Sequence, residues 1–450
     1  MGGPLALPAS SSSRSMQQVH KVEWQRRMKP ARPVVLSIIC TALLVGLPGC
    51  RSGAFPHYPS NYREYAYVAN GGSNTVSVLD VVDMRQQGLL TVGPHPVALV
   101  ANPVRNQVYT INRGALPGGA AAGPAGRQRG SVSVIDAEQN LVKATIPVGL
   151  LPAAAAMDAG GTRLFVANAG SNNVSVVDPV RQQVLATAGV GEGPGALAVS
   201  PDGRTLVVAN RKSGSVSLLE LSAPGAAFAE PVVRSSFDGC PGAGSVAVLP
   251  DSSKAFVACA NGHQVMVLGL ATQVVPVKAK GGPPPGEALP DRLLTFLDVG
   301  ENPVKLVLKP DGGEIFVLNQ SANTISEIAT GTNEVGGATL IGVQPEDGLV
   351  SADNSILWVA NQGSDTIEAY SVDDGRRMHT VHVGAGPGPV AFSANGNVLM
   401  AVDTRSGDVS VVRTFSRNLE REPVYGTLFT LLPAGKGPDA IVDKAFKLGN

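Results

Sequence analysis

Seven amide or carboxylate side chains recur along this chain at the end of one four-residue pattern. Asn70, Asn112, Asn168, Asn210, Asn319 and Asn361 close Tyr67-Val68-Ala69-Asn70 and its later copies, while Cys259 stands in the fifth place and Asp403 in the eighth. A ring of amides on one face could hold a polar ligand. The same side chains suit a plainer task, capping the loop that follows through an Asx-type bond to backbone. Recurrence in every copy favours capping, because a binding site needs only some of them. Among the histidines after residue 49, His379 and His382 lie three apart in a strand and so point to opposite faces. That leaves His95, in Gly93-Pro94-His95-Pro96, as the one imidazole to weigh as a ligand against an exposed loop residue.

Catalytic motifs are missing. No Gly-x-Ser-x-Gly elbow, Cys-x-x-Cys-His haem attachment or His-Glu-x-x-His zinc helix occurs. The glycine-rich stretches 189–195 and 384–388 each lead into a strand, so neither has the helix N-terminus that holds a phosphate. No catalytic residue, metal site or cofactor is therefore assigned. Cys240 and Cys259 belong to one repeat, and an exported protein would pair them. Simple strand opposition puts Cys259 nearer residue 245, so the loop carrying Cys240 must fold back to reach it.

The elements that position these groups follow from the repeat. Successive copies of the pattern start at 67, 109, 165, 207, 256, 316, 358 and 400, a base period of 42 with insertions. That is the size of a four-stranded propeller blade. Composition agrees: 53 Gly and 34 Pro punctuate a chain that is 44% apolar but only 4% aromatic, as an all-β protein of short strands and tight turns requires. Within one period, Ala196–Ser200, Thr205–Ala209, Ser215–Leu221 and 231–237 read as the four strands. A Gly-x-x-Pro lead-in gives a second count of eight, at Pro96, Pro152, Pro194, Pro241, Pro303, Pro345, Pro387 or Pro389, and Pro438. The first pattern has no such proline before it and the last proline has no pattern after it. The two half-repeats complete each other, so 441–446 should form the innermost strand of the blade built from 65–93.

The repeat resembles the YVTN-type β-propeller family of bacterial and archaeal surface and periplasmic proteins. The resemblance rests on the lead-in proline, the Ser200-Pro201-Asp202-Gly203 turn, the Tyr-Val-x-Asn pattern, and runs such as Asn74-Thr75-Val76-Ser77-Val78-Leu79-Asp80. It covers residues 64–448. Such propellers are most often seven-bladed; two independent markers here favour eight, with seven as the alternative.

The N-terminus reads as an address. Arg26, Arg27, Lys29 and Arg32 precede an apolar run, Val34–Leu47, too short for the roughly 20 residues of a spanning helix. The ending Leu47-Pro48-Gly49-Cys50 resembles a bacterial lipobox, which implies cleavage after residue 49, lipidation of Cys50 and an outer-membrane lipoprotein facing the periplasm or surface. Residues 1–49 are thus signal and leader, 50–63 a lipidated tether and 64–450 the propeller. Removing the leader takes six of 35 basic and one of 35 acidic groups, leaving 29 against 34, or −5. A mildly acidic body argues against nucleic acid.

Three insertions break the repeat. Ala115–Gly130, with Arg127 and Arg129, lengthens a strand two–three loop on the lead-in face. Ala271–Arg292 and Arg413–Tyr425 lengthen strand three–four connections on the opposite face. Loops on a rigid scaffold are where binding concentrates. The favoured reading is a monomeric, non-catalytic envelope scaffold for a protein, peptide or polysaccharide. A lactonase-like or redox propeller enzyme, and single-stranded nucleic-acid binding, are the alternatives.

Overall fold

The computed structural model describes residues 58–114, 129–271, 289–417 and 423–449. Its strands form eight four-stranded antiparallel sheets. In blade 1, Pro438–Lys447 lies innermost, followed outward by Tyr62–Asn70, Thr75–Asp80 and Arg85–Thr91. Blades 2 to 8 run in chain order from innermost strands Pro96–Ala101, Pro152–Met157, Pro194–Val199, Ala243–Val248, Pro303–Leu308, Pro345–Val350 and Pro387–Phe392. Pro387, not Pro389, therefore opens blade 8. Pro241 differs from the expectation: the strand of blade 5 starts two residues later, at Ala243, after a turn at Gly242 with φ +74°.

Residue type follows radial position. Several innermost strands carry small side chains, as in Ala153-Ala154-Ala155-Ala156 of blade 3, where eight strands converge on one axis. Second strands are sandwiched between neighbouring blades and buried on both faces, so they take the bulk: Tyr67, Tyr109, Phe165, Phe256 and Trp358 are almost wholly enclosed. Fourth strands face solvent on one side, and Arg85–Thr91 alternates exposed and half-buried.

Eight apolar clusters result, each shared by two adjacent blades. The one joining blades 8 and 1 packs Val398, Met400 and Val411 against Ala66, Val68 and Leu79. The seam is therefore an ordinary interface. Strand Pro438–Lys447 fixes it on both sides. Phe446 joins the cluster of blades 1 and 2, and the Lys444 ammonium donates to the Asn102 carbonyl of blade 2 at 2.7 Å. Beside that strand, the buried Glu64 carboxylate accepts from Ala394 N of blade 8 at 2.7 Å and from the Tyr62 hydroxyl at 2.6 Å.

At the lead-in face each blade is preceded by a residue in the left-handed region: His95, Leu151, Gly193, Gly242, Asn302, Gln344, Gly386 and Gly437. At five junctions its N–H is held by a side chain from the preceding blade. Asn74 Oδ1 accepts from His95 N, Asn172 from Gly193, Asn323 from Gln344 and Asp365 from Gly386. In blade 5 the Nδ1 of His263 does the same for Asn302 N at 3.1 Å.

Removing residues 438–450 would take away the inner partner of Tyr62–Asn70 and open two interblade cores at once. The truncated chain should lose its cooperative thermal transition; an unchanged melting curve by circular dichroism would show that the ring closes without this strand.

Candidate functional site

The asparagine series is not presented to a ligand. Asn70, Asn112, Asn168, Asn210, Asn319, Asn361 and Asp403 are all fully buried. The amide nitrogen of Asn70, Asn112, Asn168, Asn210 or Asn319 donates to a serine two residues into the third strand (Ser77, Ser133, Ser175, Ser217 or Ser326), each at 2.9 Å. Over each lies the glycine three residues before the next strand one. A Cβ on Gly93, Gly149, Gly191, Gly300 or Gly435 would stand 2.5–2.7 Å from the asparagine side chain. Two glycine N–H groups also donate to the amide oxygen, Gly149 to Asn168 at 3.1 Å and Gly435 to Asn70 at 3.0 Å. The capping expected from sequence is thus a three-part latch of glycine, asparagine and serine, bonded mainly to side chains and not to the following loop.

Three blades alter the latch. In blade 5, Cys240 stands in the glycine place, Cys259 in the asparagine place and Met266 in the serine place. The two cysteines form a disulfide with Cα atoms 4.7 Å apart. The fold-back needed for it is a register shift between Ala243 and Val246, which sets Ala243 opposite Cys259. In blade 7 Glu368 replaces serine. Its buried carboxylate accepts from Gly342 N, the Asn361 amide, the Tyr370 hydroxyl and Arg377. In blade 8 Asp403 replaces asparagine. Burial pushes its pKa up to about 8, although the Ser410 hydroxyl at 2.6 Å opposes this.

The remaining sequence candidates scatter. His95 is half-buried, its Nδ1 3.2 Å from the Gly71 carbonyl, and burial raises the pKa of the neighbouring Asp439 carboxyl while the His95 ring partly opposes this. Arg129 is exposed at the start of a third strand, opposite Leu150. Arg127, most of the loops 115–130 and 271–292, and Cys50 lie outside the described residues. Three charged groups of the innermost strands are engaged between blades. Lys305 of blade 6 pairs with Asp347 of blade 7 at 2.7 Å, Asp347 also accepts from Val390 N of blade 8, and Glu346 accepts from Gln320. Among the described residues no group of three or more His, Cys, Asp or Glu is placed to hold a metal ion.

The opposite face carries what sequence reading did not assemble. A cleft of about 660 Å³ opens between blades 7 and 8, within the size range of small-ligand sites. One wall is the turn Ser351–Ser355 of blade 7, the other the turn at Ser393–Asn395 of blade 8. The expected loop 413–425 is instead largely strand: Asp408–Arg417 and Pro423–Pro433 pair out to Arg417 opposite Pro423. That hairpin sets Phe415 and Tyr425 edge-to-face over the cleft, their centroids 5.6 Å apart. Gly426, at φ +81°, lets it cross Trp358 at the floor, where a Cβ would come within 3.2 Å of the indole. Asp353 is held ionised, its pKa lowered by hydrogen bonds from Ser351 and Ser355. The insertion was the available signal; which aromatics it would bring together depended on the register of the hairpin.

The fold and this geometry define an eight-bladed β-propeller. No family profile and no curated protein matches the chain. Among solved structures it is similar to the periplasmic gluconolactonase PpgL of Pseudomonas aeruginosa, with TM-score 0.55, 19% identity and coverage of 85% of this chain and 99% of that one. It is similar also to the dihydro-heme d1 dehydrogenase NirN, with TM-score 0.61, 17% identity and coverage of 88% and 77%. Apo AztD from Citrobacter koseri gives TM-score 0.54 at 12% identity, covering 85% and 98%. Likeness at these identities establishes the fold.

Two stability measurements test the latch. Replacing both cysteines by alanine should cost about 3 kcal/mol, given the 19-residue separation. The triple change Cys240→Gly, Cys259→Asn and Met266→Ser should recover part of that loss in denaturant melts, because it rebuilds the latch of the other blades.

Asp403 predicts a pH dependence. Its folded pKa of about 8 lies above the ordinary 3.8. Between those values the folded state keeps a proton that the unfolded state has released, so this group's contribution to stability falls as pH rises. Asp403→Asn should therefore raise the melting temperature at pH 8 more than at pH 5. An equal shift at both would show that the carboxyl does not titrate upon unfolding.

Proposed function

We propose that this chain is a non-catalytic binding propeller of the cell envelope, of the YVTN type, anchored through lipid on Cys50 and taking its ligand in the cleft between blades 7 and 8. The observation that carries the reading is the cleft itself. Exposed Phe415 and half-buried Tyr425 on the lengthened hairpin of blade 8 face the ionised carboxylate of Asp353 on blade 7. By contrast, Lys305, Asp347 and Glu346 on the innermost strands are engaged in bonds that link blades 6, 7 and 8. A binding module needs a preorganised surface on a rigid frame, and both are at hand.

The second reading is a lactone hydrolase. It draws on the likeness to the P. aeruginosa periplasmic gluconolactonase, whose share of fold is large and whose identity is low.

Two measurements bear on the proposal. Fractionation of cells should find the chain with membranes and the Cys50→Ser chain in the soluble envelope fraction; an unmoved variant would remove the lipid anchor. Affinity capture from envelope extract with the detergent-solubilised full chain should retain a component that Phe415→Ala releases. Hydrolysis of gluconolactone with nothing retained would overturn the binding role.

A further inference from the structure

We propose that the cleft between blades 7 and 8 recognises an uncharged saccharide. The inference rests on the binding role proposed above and specifies the ligand of that site.

A sugar ring presents two chemistries at once, a patch of C–H bonds on one face and a belt of hydroxyls around the edge. The cleft offers a counterpart to each. Phe415 is 46% exposed and stands beside Tyr425 on the projecting hairpin. The negative face of an aromatic ring attracts polarised C–H groups as it attracts other positive edges. Facing groups supply the hydrogen bonds. Asp353 Oδ1 accepts from Ser351 and Ser355, and Oδ2 makes no hydrogen bond among the described residues, leaving an ionised acceptor for a sugar hydroxyl. Asn395 donates one amide proton to the Tyr58 hydroxyl at 2.8 Å and accepts from Ser393 and Asn397 through its oxygen, so its second proton is available as donor. An acceptor and a donor on opposite walls, with an aromatic platform between, suit a ligand whose every hydroxyl both gives and takes.

Charge narrows the class. Asp353 is in no ion pair among the described residues, and the hydrogen bonds that lower its pKa keep it negative at neutral pH. A phosphorylated sugar, a uronate or a nucleic acid would meet that charge uncompensated. A peptide is less well served: the flanking second strand, Ile356–Asn361, is paired on both sides and offers no free backbone edge to an extended chain. Preorganisation is also present. The carboxylate is tied into its own turn, and Gly426 presses the hairpin onto Trp358, so little order remains to be imposed when a ligand arrives.

The cleft contains its own reporter. Trp24 and Trp358 are the two tryptophans of the chain, and cleavage before Cys50 removes the first, so the mature chain in detergent reports Trp358 fluorescence alone. Titration with cellobiose, chitobiose and maltose should change that emission saturably for at least one of them. Asp353→Asn and Phe415→Ala should each weaken that binding about tenfold with the melting curve unaltered. Galacturonic acid dimer should not compete. No response to any of the three sugars at millimolar concentration overturns the inference, and so does a response that both variants leave intact. If capture from envelope extract still depends on Phe415 but the retained component is a peptide or protein, the saccharide assignment falls while the binding role stands.

Discussion

At seven of the eight junctions of the ring, a backbone must pass so close to a buried side chain that no Cβ can stand between them. In seven blades the passing residue is glycine and the side chain an asparagine or aspartate, with the imagined Cβ 2.4–2.7 Å from it. This contact sets where one blade ends and the next begins. It buries an amide that must then find partners, which fixes serine in the third strand and the register of the hairpin that brings it there. The left-handed residue that follows turns the chain toward the axis, where the innermost strands of eight blades meet. The shared apolar cores stabilise the ring; the latch decides its geometry.

The exceptions obey the same constraint. Once a Cβ enters at Cys240, the only tolerable neighbour is an atom bonded to it through sulfur, and Cys259 supplies that. Met266 then takes the volume that a serine no longer needs. Glu368 in blade 7 reaches the glycine N–H that an amide oxygen or serine meets elsewhere. Asp403 in blade 8 keeps the shape of asparagine and loses its donors, and its raised pKa is the result. Blades 7 and 8, where the polar parts of the latch are acidic, also flank the cleft.

Much of this architecture was legible from residue spacing. The period of 42, the prolines and the two unmatched half-repeats point to eight blades and to the strand that closes them, because turn chemistry is local and leaves its mark at fixed positions. Pro241 misled because Ala243 takes the register position, opposite Cys259, that a proline takes in the other blades, and Pro241 stands two residues before it. The latch was half visible: Asn70 and its counterparts stood out, but their partners did not, since a serine in the next strand, seven residues on in four blades and 21 in blade 2, looks like any alternating strand residue. The cleft was invisible for a different reason. Trp358, Asp353, Asn395 and Phe415 come from two blades, two turns and two strands, and only their packing makes them neighbours.

The closing strand has a consequence for the order in which the molecule can be made. Tyr62 lies opposite Lys447 and Asn70 opposite Pro438, so the first blade to be synthesised is the last to be completed. Until the final residues arrive, blade 1 lacks its axial strand and both of its neighbours face an unfinished surface. Contacts this distant in sequence are slow to form and cannot nucleate locally.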